Sequence, residues 1–159
     1  MPKRVRTISV SALLTFVLLA VNVSGTFAAP PQGLHIEVDE SIVNIEVPEA
    51  FVASGSAVDN GTVCATGTVY DASVETFNPQ NESQRILHVL KRFACDDGSG
   101  TFDVRMVVNL DLTTHYTTAS WMIVGGTGDY TSLHGNGSLA GTPIDPGTSI
   151  HDVYDGNVH

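Results

Sequence analysis

The chain has 159 residues, 42% hydrophobic and 15% charged, with seven Lys+Arg against 17 Asp+Glu. That length holds one domain with a single core and excludes a two-domain cofactor enzyme, and so low a charged fraction excludes a disordered chain. Three of the seven bases (Lys3, Arg4, Arg6) precede an apolar segment, so the remainder carries 4 − 17 = −13, which sets aside nucleic acid and anionic lipid as partners.

Met1 to Arg6 is basic, Ile8 to Val23 runs 16 residues without a charge, and Ser24 to Ala29 is mostly small residues. This is the order of a secretory signal peptide, with cleavage expected after Ala28. Residues 1–28 are therefore read as a leader and 29–159 as the domain. The apolar run falls short of the roughly 20 residues that span a bilayer. Localisation is expected to be secreted or periplasmic, with no membrane attachment after cleavage.

From Gly33 onward, β-branched alternation between Gly, Asn, Asp and Pro clusters predicts strands. Leu34 to Asp39 alternates cleanly. Phe51 to Val58 and Thr62 to Tyr70 flank Asp59-Asn60-Gly61, a strong hairpin signal. Arg85 to Cys95 and Thr101 to Leu112 flank Asp96 to Gly100. The helical propensity of Ser83 to Leu90 yields to its place between hairpins. His115 to Val124 and Tyr130 to Ala140 flank Gly125 to Asp129, and Ser149 to Tyr154 follows the breaker Pro143 to Gly147. The expected fold is all-β, a single eight-stranded antiparallel barrel.

Cys64 and Cys95 have no companion ligands for zinc, and in an oxidising compartment they are expected to pair. Their ring encloses about 32 residues and is worth roughly 3 to 4 kcal/mol by chain entropy. If the two stand opposite each other, the hairpin centres near Pro79-Gln80, inside the polar stretch Asn78 to Ser83. That register puts His88 and Arg92 on the face of Val63, Ala65, Gly67 and Val69. A turn centred on Gly98 adds Phe102, Val104, Met106, Val108 and Leu110 to it. A slip of one residue would send Arg92 outward, to pair with an acid.

Val124-Gly125-Gly126-Thr127-Gly128-Asp129-Tyr130-Thr131-Ser132-Leu133-His134-Gly135 resembles the Gly-Gly-Thr-Gly-x-aromatic-x-x-x-Arg-Gly signature of dirigent proteins and allene oxide cyclase-like proteins. Cys95 to Phe102 followed by Trp121 to Gly126 looks like small exported bacterial members of the same barrel superfamily. The likeness spans Gly61 to Tyr154. It implies an eight-stranded barrel with a cavity, self-association as a trimer, and at its furthest an isomerase or cyclase reaction. His134 stands where the signature has arginine, so no role resting on that guanidinium carries over, and neither family's pocket residues can be matched here. Glycines permit the tight turn, Tyr130 would cap a barrel end, and Gly135, Gly137 and Gly141 would admit a bend or a bulky neighbour.

The residues of chemical interest are few. His88 and Arg92 would orient an acidic head group in a lumen beside Met106, with Tyr116, Trp121 and Tyr130 at its mouth or in its core. His35, His115, His134 and His151 are scattered as surface histidines, and no metal is expected. Asp96 to Gly100 lacks the ligand alternation of a calcium loop and reads as a turn. No Gly-x-Ser-x-Gly elbow supports a hydrolase, and Gly125 to Gly128 lacks the lysine of a phosphate loop. Sequons at Asn60, Asn81 and Asn136 matter only in a eukaryotic-type pathway. No catalytic residue and no cofactor is assigned. The preferred reading is a lumen that binds a small apolar or amphipathic molecule; a cyclase and an interaction barrel with a filled lumen are the alternatives.

Overall fold

A computed structural model describes residues 30–77 and 82–159; the leader at 1–28 and Asn81 lie outside them. Eight strands follow one another antiparallel and close into a barrel: β1 (Gln32–Ser41), β2 (Glu49–Ser54), β3 (Thr66–Phe77), β4 (Gln84–Cys95), β5 (Thr101–Asp111), β6 (Thr117–Gly126), β7 (Gly135–Asp145) and β8 (Ser149–Val158). Each strand pairs with its chain neighbours, and β1 closes on β8 from Gln32↔Val158 to Ser41↔Ser149. Closure removes the sheet edges that would otherwise recruit other strands. The period of two sets the inside: Leu34, Ile36 and Val38 on β1, Val89 and Phe93 on β4, and Phe102, Val104, Met106 and Val108 on β5 are buried.

Two expected hairpins are built differently. Asp59-Asn60-Gly61 is not a tight strand-to-strand turn. A short helix, α1 (Ser56–Asp59), follows β2, Asn60 caps it, and Gly61 takes φ +70°. The core gains Ala57 and Val63 from this excursion, which a two-residue turn would have left outside. Likewise Tyr130 does not begin β7. It ends a 3-10 turn (Gly128–Tyr130), and the strand starts at Gly135.

The disulfide Cys64–Cys95 is formed, but not between opposed ladder positions. Gly67 stands opposite Cys95, and Cys64 reaches it from the connection before β3. The offset of three residues is odd, so β4 turns its other face inward. The β4–β5 ladder agrees, pairing Met106 with Val89 rather than Leu90. Lys91 is therefore inside, and Arg92 is outside. A bulge between Asp71 and Ser73 restores an inward direction to Val74, so Asp71 and Val74 both point toward the lumen.

The two ends of the barrel differ. At the disulfide end Phe93 stacks on Phe102 at 4.8 Å, with Phe51 and Tyr154 edge-on to Phe93 and Tyr130 edge-on to Phe102. The Tyr130 hydroxyl is 2.7 Å from Ser99 Oγ. Trp121 fills the space over Gly137 and Gly156, where a Cβ on Gly137 would stand 2.6 Å from the indole, and its N–H donates to the Ser138 carbonyl at 2.9 Å. This end is closed.

Candidate functional site

The other end opens into a cavity of about 260 Å³. Inward residues of β3 to β8 build its apolar wall, among them Val74, Leu87, Val89, Met106, Val108 and Leu139. Ile42 and Ile45 in the β1–β2 connection lean over it, and Pro143, Ile150 and His115 complete the rim. Its rim is unusually apolar for a surface: Ile42, Val43, Ile45, Val47, Tyr116 and Ile144 are all exposed on loops or strand ends there.

Deep in the cavity sits a layer of charge. Reading each strand inward from its apolar run gives Glu40 after Val38, Asp71 after Val69, Lys91 before Phe93, and Asp152 before Tyr154. The Lys91 ammonium is only 6% exposed and donates to Glu40 Oε2 at 2.6 Å. Asp71 Oδ1 lies 2.6 Å from the same nitrogen as an ion pair, without the alignment of a hydrogen bond. Asp152 Oδ1 leans over the bare face of Gly141 beside Thr117 Oγ1, and neither oxygen has a hydrogen-bond partner. Glu40 Oε1 and the Tyr154 hydroxyl are also buried without one.

Three carboxyls around one ammonium cannot all ionise cheaply in an apolar shell. Burial pushes the Glu40 carboxyl up to about 7 against the pull of Lys91, with Asp152 and Asp71 adding to the rise. Burial likewise lifts Asp152 to about 6. For Lys91 burial acts downward, but the charges of Glu40 and Asp71 overcome it and the ammonium is held above its ordinary value. The Tyr154 phenol is raised by burial and then by its acidic neighbours.

Of the residues singled out in sequence, Met106 lines the cavity. His88 and Arg92 do not. Both are on the outer wall, His88 against Phe77 at 4.4 Å and Arg92 clasping Asp103 through Nε and a terminal nitrogen at 2.8 and 2.9 Å. The odd offset of β4 is the cause, and the cation it puts inside is the neighbour, Lys91. Tyr116 is exposed at the open rim, whereas Trp121 and Tyr130 belong to the closed end. His134 is exposed, its ring 5.9 Å from that of His159. His35 and His151 lie on the outer face of β1 and β8, each 2.7 Å from an aspartate across the strand pair, Asp155 and Asp39.

The charged layer lies just past the strand ends that the sequence predicts, since the strand from Leu34 is expected to end at Asp39 and the one to Tyr70 stops one residue short of Asp71. Continuing the alternation Leu34, Ile36, Val38 by one step reaches Glu40, and Gly67, Val69 by one step reaches Asp71.

Among the described residues no group of three or more His, Cys, Asp or Glu is arranged to hold a metal ion. No helix among them is long and apolar enough to cross a membrane. No protein-family model matches the chain, and no curated protein or solved structure matches it.

Proposed function

We propose that this is an exported barrel that binds a small apolar or amphipathic molecule in its lumen and releases it unchanged. The observation that carries the reading is the open, apolar-walled cavity of about 260 Å³ at one end of an otherwise filled barrel. At about 30 Å³ for each water-sized group, it has room for roughly nine. The apolar rim gives such a molecule a path in, and the cavity weighs against an interaction barrel filled by its own side chains. Export rests on the leader pattern of residues 1–28, and the disulfide is compatible with it.

Mass spectrometry of the exported protein after mild extraction tests the reading. A stoichiometric small apolar or amphipathic molecule is the expected result, lost in Val108→Phe, which fills the cavity. An empty wild-type lumen that takes up no apolar probe contradicts it. N-terminal sequencing of the same material tests export: a chain beginning at Ala29 is expected, and a retained Met1 overturns it.

A second reading has one observation in its favour. Glu40, raised to about 7 beside an apolar cavity, is a carboxyl that could give up a proton at neutral pH. With the resemblance to dirigent and allene oxide cyclase-like barrels, this favours an isomerase or cyclase in which the lumen folds a reactive substrate. Turnover of an epoxide or quinone methide, abolished in Glu40→Gln, would decide for it.

A further inference from the structure

The charge at the deep end of the cavity selects among amphipathic molecules, and it does so against the acidic head group that the sequence suggested. We infer that the lumen takes small monocationic amphiphiles, primary alkyl- or arylalkylamines with a body of about nine non-hydrogen atoms, and seats the ammonium between Asp152 and Glu40. The inference rests on the lumen-binding reading and names its ligand class.

Four observations carry it. Among the described residues Lys91 is the one buried cation, and two carboxylates already engage it. The layer therefore offers an anionic ligand no free counter-charge. Second, with three acids against one base, a second cation brings the buried charge nearer to balance, while a carboxylate moves it further away. Third, Glu40 Oε1 and Asp152 Oδ1 belong to cavity-lining residues and are buried without an aligned donor, the hydroxyls of Tyr154 and Thr117 being their only close neighbours of that kind among the described residues. An ammonium has three donors and no acceptor, so it meets that deficit; a carboxylate is acceptor-only and would enlarge it. Fourth, the outer surface raises the local concentration of cations, because residues 30–159 contain four bases against 17 acids. Apolar contact with Val74, Leu87, Val89 and Val108 then holds the tail.

The pH dependence follows from the same groups. Asp152 and Glu40 face Lys91 from β4, Asp71 from β3, Tyr154 from β8, and His115 at the rim; His151 lies next to Asp152 on the outer face. Between pH 8 and pH 5 the Glu40 and Asp152 carboxyls take up protons. Their loss of charge weakens the attraction for a ligand that stays cationic throughout.

The test is titration calorimetry of the disulfide-intact barrel with octylammonium, 1-octanol and octanoate, which share one tail and differ in the head. The expected order is octylammonium tightest, octanol at least tenfold weaker, and octanoate weaker still at pH 8. Octylammonium affinity should fall at least tenfold on going to pH 5, while octanol changes little. Asp152→Asn should lower octylammonium affinity tenfold or more and leave octanol within twofold; if that variant does not fold, the wild-type head-group order and pH profile decide alone. Octanoate binding as tightly as octylammonium, or an octylammonium affinity that does not change with pH, overturns the inference while leaving a binding lumen in place. Failure of all three probes to bind overturns the lumen-binding reading itself.

Discussion

The closed and open ends of this barrel use the same strands and the same alternation to opposite effect. At the disulfide end the inward positions carry Phe51, Phe93, Phe102, Trp121 and Tyr154, and glycines on β7 and β8 make room for the indole. Two or more residues along the same strands, the inward positions carry Glu40, Asp71, Lys91 and Asp152, and beyond them small aliphatics leave space unfilled. Aromatic packing needs no solvent and no partner. A buried charge layer with unpaired oxygens gives up stability for something other than folding, which is why the site is placed there and not among the aromatics.

The comparison can be broken by substitutions whose pH dependence differs. Phe93→Ala removes the ring around which Phe51, Phe102 and Tyr154 gather, and should cost about 3–5 kcal/mol in chemical denaturation. That loss should be the same at pH 5 and pH 8. Lys91→Met should also cost about 3–5 kcal/mol at pH 8, because it strands buried carboxylates. At pH 5 Glu40 and Asp152 are protonated, and much of the loss should disappear. Equal losses at the two pH values would mean that the layer is not charged as described.

Removing the disulfide by Cys64→Ala with Cys95→Ala should cost about 3 kcal/mol by the same denaturation measurement, independent of pH. In the intact protein, the raised carboxyls themselves set a slope. Glu40 and Asp152 bind protons more tightly folded than unfolded, so their contribution favours folding below about pH 4 and is lost as pH rises to 7. Stability should therefore fall over that window by an amount on the order of 5 kcal/mol for the two groups together, the melting temperature should fall with it, and octylammonium should restore more of the loss at pH 8 than at pH 5.

The smallest effect belongs to the outer wall. The His35–Asp155 pair raises the His35 pKa, so its contribution is present below pH 6.5 and fades above it. Exposed to solvent, the pair should be worth less than about 1 kcal/mol, measured as the difference between wild type and His35→Gln at pH 5.5.

Much of this architecture was legible in the chain. Eight alternating runs gave the strands and the lone pair of cysteines gave the disulfide; Gly137 reads as room for a bulky neighbour, but that the neighbour is Trp121, with Gly156 on its other side, is visible only in the fold. The register was not legible, because a disulfide fixes a distance and not a ladder position: Cys64 can reach Cys95 from three residues before its apparent partner. One odd offset then exchanged Arg92 for Lys91 as the interior cation. Adjacent basic residues in one strand always present this ambiguity, and the neighbours resolve it: Val89, Lys91 and Phe93 lie in step with the apolar positions of β5. The excursion at α1 was hidden for a different reason, since Asn-Gly favours positive φ in a hairpin turn and equally well after a helix end.

Carbon-13 NMR titration of the side-chain carboxyls, with Glu40 assigned through Glu40→Gln, tests the charged cavity most directly. A Glu40 midpoint near 7 in the free protein, displaced downward when octylammonium is added, is the outcome required by an acid buried beside an unfilled apolar space. A midpoint near 4.5 that ignores the amine would place this carboxyl in water and leave the open end without its chemistry.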